Sequence, residues 1–221
     1  MFKNYFVSIF ILITGFSVSA NDYFKALELF NKKMIEQSII HFKKVAEDQN
    51  HEKRSDAMFN IALIYDNGFG IQTDKTRALY YYESASELSN KYALFNLGWM
   101  YYNGENVNKD VFKAFELYKM ASDFGHPRAM YNLANMHFTG TGTVKDLKMA
   151  YKLFLKSKMH GIEESEYFIE QITISLKPEE LSLLNKEFES LIEKKIVLPL
   201  INWREILIKL ILCKMKVGSI E

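Results

Sequence analysis

Cysteine is almost missing from this 221-residue chain. Cys213 stands alone, so no intrachain disulfide can form and an apolar core must hold the fold. Glycine (10) and proline (3) are scarce, which excludes a many-turned all-β fold and favours helices. An excess of one charge is also lacking. Formal net charge is +1, and Lys3 lies in a segment expected to be removed, so the mature chain is close to neutral. Nucleic acid is therefore excluded as a partner, since binding it needs a basic field to replace phosphate counterions. The five histidines show no metal-ligand spacing: none pairs at i, i+4 with another ligand, and no HExxH occurs. No serine sits in a nucleophile elbow, and the carboxylates are scattered among lysines. No catalytic residue, metal or cofactor is expected, and the chain is read as no enzyme. Asn-x-Ser/Thr sequons are absent too, which points to a bacterial periplasm rather than a eukaryotic secretory lumen.

What is present starts with a leader. Residues 1–20 carry Lys3, an apolar run from Phe6 to Phe16 and the small residues Val18 and Ala20. Eleven residues are too few for a membrane span, which takes about 20. The segment is expected to be a cleaved signal peptide, giving a periplasmic or secreted protein, or an ER-lumen one in a eukaryote.

The body of the chain repeats. Stretches beginning at Ala57, Ala93 and Ala129 align without a gap at a spacing of 36. Asn60, Asn96 and Asn132 share the period, as do Gly68, Gly104 and Gly140, and Asp74, Asp110 and Asp146. Each unit holds two helical patterns. Met58, Ile61, Ala62 and Tyr65 make an apolar face on the first. In the second, the rings Tyr82, Tyr118 and Phe154 stand four and three residues from small ones, so that a ring fills the groove between closely approaching helices. The aspartates sit where a carboxylate caps the second helix.

These residues resemble the Sel-one-like repeat, a longer relative of the tetratricopeptide repeat. The second unit shows its pattern as Ala93, Leu97, Gly98, Tyr101, Gly104, Val107, Asp110, Ala114, Tyr118, Ala121 and Gly125. Departures are Ala62 and Ala134 for the first-helix glycine, His137 for its tyrosine, Asn106 for the second turn glycine and Ser89 for the closing one. The resemblance implies an all-α, right-handed α-solenoid of antiparallel helix pairs that binds a protein or peptide. Three units are expected at 57–92, 93–128 and 129–164, after a degenerate tetratricopeptide-like repeat at 21–56. Capping helices are expected at 165–195 and an apolar, basic tail at 196–221.

The glycines of "HFTGTGTVKD" suggest a phosphate loop when read alone. Gly140 and Gly142 align, however, with Gly68 and Gly70, and Gly104 keeps the position in the middle unit. A feature that recurs between two helices, with no strand before it, is a helix–helix turn that needs positive φ. The aromatics carry more function. Phe59, Phe95 and Tyr131 begin a second stripe on the first helices and are assigned to packing between them. Its later members vary, and in solenoids of this kind the stripe faces a concave groove. Trp99, Tyr102, Asn135 and Phe138 are the candidate partner-binding residues, against packing within the solenoid.

From Lys194 onward the tail holds six basic and two acidic residues. It is expected either to dock as a cap on the last repeat or to touch an anionic membrane peripherally through 196–216. The leading function is a non-enzymatic scaffold in a bacterial envelope. Two alternatives remain: a secreted factor that engages a host cell, and a cell-wall or β-lactam hydrolase, the latter implied only by a cysteine-rich branch whose paired cysteines are lacking here.

Overall fold

The computed structural model describes residues 21–190. The expected signal peptide at 1–20, the last residues of the expected caps at 191–195 and the whole tail at 196–221 lie outside them. Ten helices and no strand occur among the described residues. They are α1 (21–31), α2 (Ile35–Glu47), α3 (Arg54–Asn67), α4 (Lys75–Glu87), α5 (Lys91–Asn103), α6 (Val111–Asp123), α7 (Pro127–Thr139), α8 (Leu147–Met159), α9 (Ser165–Ser175) and α10 (178–190). The chain forms two units, dividing between Ser165 and Glu166. The first is an all-α repeat solenoid in which each helix from α2 to α8 packs on its neighbours in the chain. Residues of α9 from Glu166, together with α10, belong to the second.

Local chemistry sets the helix boundaries. Asp74, Asp110 and Asp146 stand in extended backbone at the starts of α4, α6 and α8. Their carboxylates accept from Arg77 N, from Phe112 N and Lys113 N, and from Met149 N. Each such cap contributes about 1 kcal/mol. At the other end, Gly68, Gly104 and Gly140 are left-handed (φ 66°, 76° and 80°), and their N–H groups close onto Ile64 O, Met100 O and Met136 O. One further bond locks every turn: Asp74 N to Tyr65 O, Asp110 N to Tyr101 O, and Asp146 N to His137 O. Because that acceptor is backbone, His137 replaces tyrosine without cost to the turn.

Gly142 answers a second demand, because a Cβ there would lie 2.5 Å from Val111 O of the preceding unit. A Cβ on Gly70 would meet the Ile35 side chain at 2.9 Å, a softer neighbour than the Val111 carbonyl. The middle turn carries Asn106 at φ 59° instead, and meets the preceding helix start through Lys75 and Glu105 at 3.8 Å. In the first helix pair, which has no turn glycine, Lys33 takes the left-handed position at φ 60°.

The core repeats with the sequence. Tyr82, Tyr118 and Phe154 are fully buried, each flanked by buried small residues: Ala78 and Ala85, Ala114 and Ala121, Ala150 and Ser157. Burying such a ring contributes roughly 2–3 kcal/mol. The buried serines are bonded across helices, Ser38 Oγ to Ala26 O at 2.8 Å and Ser157 Oγ to Pro127 O at 3.1 Å. Ser165, which extends the alanine period of 57, 93 and 129, is fully buried, and its Oγ has no hydrogen-bond partner among the described residues.

Candidate functional site

The first helices α3, α5 and α7 carry the variable stripe. At its base, Phe59, Phe95 and Tyr131 each touch the buried ring of their own unit, with centroids 6.1, 5.9 and 5.7 Å from Tyr82, Tyr118 and Phe154. The expected packing between first helices is present for Phe59 and Phe95, and the contact with each unit's own buried ring adds to it. Phe59 meets Tyr92 at the start of the next first helix, at 5.5 Å.

Above that base, the two junctions between successive units diverge. Asn96 hydrogen-bonds the Tyr82 hydroxyl, and Asn132 the Tyr118 hydroxyl. Burial pushes both phenols above their ordinary range. At the first junction the Tyr82 hydroxyl also donates to Asp66 Oδ2 at 3.1 Å, while Asp66 Oδ1 accepts from Lys75 Nζ at 2.8 Å. Lys75 then reaches Glu105 of the next unit at 3.8 Å, and its bond to Asp66 holds the ammonium above its usual range. This junction carries a bonded, charged cluster.

At the second junction Asp66 is replaced in the period by Tyr102, and Leu63 by Trp99. An open cavity of about 240 Å³ remains there. Trp99, half exposed, and Tyr102 form its wall from α5, and Tyr118 of α6 with Asn132 forms the floor. Asn135, Met136 and Thr139 of α7 close the far side. Asn135 Nδ2 donates to Tyr131 O at 3.2 Å, and Thr139 Oγ1 to Asn135 O at 2.9 Å. Lys109 lies over the Tyr102 ring, 5.8 Å from its centroid.

Of the four candidates, Trp99, Tyr102 and Asn135 thus share one cavity. Phe138 does not line it. It is the Tyr102 of the next unit, with Lys145 Nζ 5.7 Å from its ring. Sequence reasoning left out Tyr118, Asn132, Met136 and Thr139. Tyr118 and Asn132 were legible as members of the 36-residue period, but as packing residues.

The histidines have structural places. His126 caps α7, its Nδ1 accepting from Ala129 N at 3.2 Å, and its ring stacks on Phe95 at 4.4 Å. Burial, with Lys91 and Arg128 nearby, lowers its pKa to about 4. His137 packs edge-on against Phe115 at 5.3 Å. Its Nδ1 is buried with no partner among the described residues, and burial pushes its pKa down. Among the described residues no group of three or more His, Cys, Asp or Glu is placed to hold a metal ion, and no helix is long and apolar enough to cross a membrane.

A model of the Sel1 repeat matches residues 4–32, 55–90, 91–126 and 127–162, well over half of the sequence. The chain belongs to the Sel1 repeat family. The last three matched repeats keep the period of 36, each beginning two residues before Ala57, Ala93 or Ala129. The first matched repeat, 4–32, runs through the segment read as a signal peptide. Among solved structures, this Sel1 repeat chain is similar to a Sel1 repeat protein from Oxalobacter formigenes, with a TM-score of 0.61 and 26% identity over 66% of the chain. It is also similar to c5321, a protective antigen of uropathogenic Escherichia coli with an SLR fold. There the TM-score is 0.61 and the identity 22% over 68% of the chain, a likeness of fold alone. The chain spans 59% of the first protein's length and 32% of the second's. No curated protein matches it.

Proposed function

We propose that this Sel1 repeat chain is an exported, non-enzymatic scaffold of a bacterial cell envelope that holds a protein or peptide in the groove lined by α3, α5 and α7. One observation carries the reading. At the second junction Trp99 and Tyr102 stand beside an open cavity, where the equivalent positions of the first junction carry Leu63 and the ion-paired Asp66. A half-exposed indole at a cavity mouth is the kind of side chain that anchors an interface. Export rests on the leader chemistry of residues 1–20.

A photo-crosslinking residue at position 99, introduced in the native cell, tests the groove. The expected result is a discrete cross-linked partner whose yield falls when Tyr102→Ala is added while helicity is kept. A cross-linker that labels nothing overturns the reading. Mass spectrometry of the mature chain tests export: loss of residues 1–20 supports it, and an intact N-terminus would assign 4–32 to a further repeat instead.

A further inference from the structure

We infer that the cavity between α5, α6 and α7 takes one aromatic side chain of a partner polypeptide whose flanking residues are acidic, with a flanking carboxylate pairing to Lys109. The inference rests on the reading of this groove as a protein-binding surface and adds the partner's chemistry.

Size comes first. At about 240 Å³ the cavity falls below the roughly 300–1,000 Å³ of small-molecule sites and suits a single large side chain. Its lining sets the polarity of that side chain. Trp99 and Tyr102 offer aromatic surface over the buried Tyr118 and Met136, and Asn132 and Asn135 offer neutral polar groups. No lining residue carries a charge, so an inserted ammonium or carboxylate would lose water without gaining a counter-ion. A neutral ring gains stacking against Trp99 and Tyr102, and a phenol or indole can also donate to the amide oxygen of Asn135.

The rim sets the flanks. Lys109 is exposed above Tyr102 with no carboxylate in salt-bridge reach among the described residues. The acidic neighbours are already engaged. Asp110 accepts from Phe112 N and Lys113 N at the start of α6, and Glu105 faces Lys75 at 3.8 Å. One repeat onward, Lys145 stands over Phe138 in the same way. Complementary charge on the partner steers encounter and suppresses basic competitors.

The test pans a random peptide library displayed on phage against the full-length protein, then titrates synthetic versions of the enriched peptides. The expected sequences converge on Phe, Tyr or Trp with Asp or Glu beside it. Alanine in place of the aromatic weakens binding by about tenfold or more. Lys109→Glu weakens it by about two- to fivefold and reverses the preference toward lysine-flanked peptides. This substitution is on the surface, so it keeps the test independent of any folding defect in Trp99→Ala. Binders that need Trp99 and Tyr102 but lack the aromatic–acidic signature overturn this inference and leave the groove reading standing. Binders indifferent to both residues, or no enrichment, overturn both. Binding of oligo(dT) with loss on Trp99→Ala would overturn the peptide assignment in favour of stacked bases.

Discussion

The two junctions between successive units use one backbone and one buried tyrosine for opposite ends. At the first, Asp66, Lys75, Tyr82 and Glu105 bond to one another across the space. At the second, Trp99, Tyr102 and Asn135 line the corresponding space without filling it. The period dictates the frame, meaning the ring, the asparagine that bonds its hydroxyl and the capped second helix. It leaves the stripe above the frame free to vary. Two substitutions within the period, Leu63 to Trp99 and Asp66 to Tyr102, replace an ion-paired junction by one with an aromatic cavity wall.

The largest effect should come from the part that both junctions share. Tyr82→Ala and Tyr118→Ala should each cost about 3–5 kcal/mol in thermal unfolding, because each removes a fully buried ring. Similar costs would mean that the junctions differ only above the ring. A much cheaper Tyr118→Ala would show that the open cavity already loosens its floor.

Acid should separate them next. His126 caps α7, beside the second junction, whereas Asn90 caps α5 at the first. The folded pKa of His126, about 4, lies below the ordinary 6.5, so the unfolded chain binds the proton more readily. The resulting stability is fully present above pH 6.5 and is lost as pH falls toward 4. The loss should be on the order of 2–3 kcal/mol, and His126→Asn should flatten that part of the stability profile. A profile unchanged by His126→Asn would remove the histidine from the account.

Gly98 sharpens the comparison further. Its equivalents are Ala62 and Ala134, yet a Cβ on Gly98 would stand 2.8 Å from the Tyr118 ring. Gly98→Ala should therefore cost about 1–2 kcal/mol, the overpacking exceeding the gain in helix propensity. Denaturant unfolding would check this, and a stabilised variant would show that the ring yields.

Breaking the ion pair of the first junction should have a smaller effect. Asp66→Asn removes the anion between Tyr82 and Lys75 and should cost about 1 kcal/mol, since Lys75 is partly in water. Salt should weaken the parent but not the variant. Equal salt sensitivity of the two proteins would discount the ion pair. The smallest effect is at the middle turn. Asn106→Gly relieves a left-handed asparagine and should gain about 0.5 kcal/mol in melting experiments, with peptide binding unaltered.

The parts legible in the sequence were those set by short spacings. The recurrence of Asp74, Asp110 and Asp146 marks helix starts because a cap bonds two or three residues ahead. The turn glycines mark reversals because positive φ is a property of one residue. Trp99, Tyr102 and Asn135 could be singled out because they break a periodic pattern. Phe138 was grouped with them by the same rule, although its place in the period puts it one unit beyond the cavity. The role of His126 was missed, although Asn90 precedes α5 where His126 precedes α7, and Pro127 follows the histidine as a helix-start signal.

The sequence alone determined the repeat, its helix boundaries and which positions carry rings, because those follow from contacts between residues near one another along the chain. Only the tertiary structure decided that Lys75 reaches Asp66 and Glu105, that Asn132 bonds Tyr118 across units, and that three helices leave a cavity at the second junction. Those outcomes depend on where long side chains from separate helices meet, and no spacing along the chain encodes that directly.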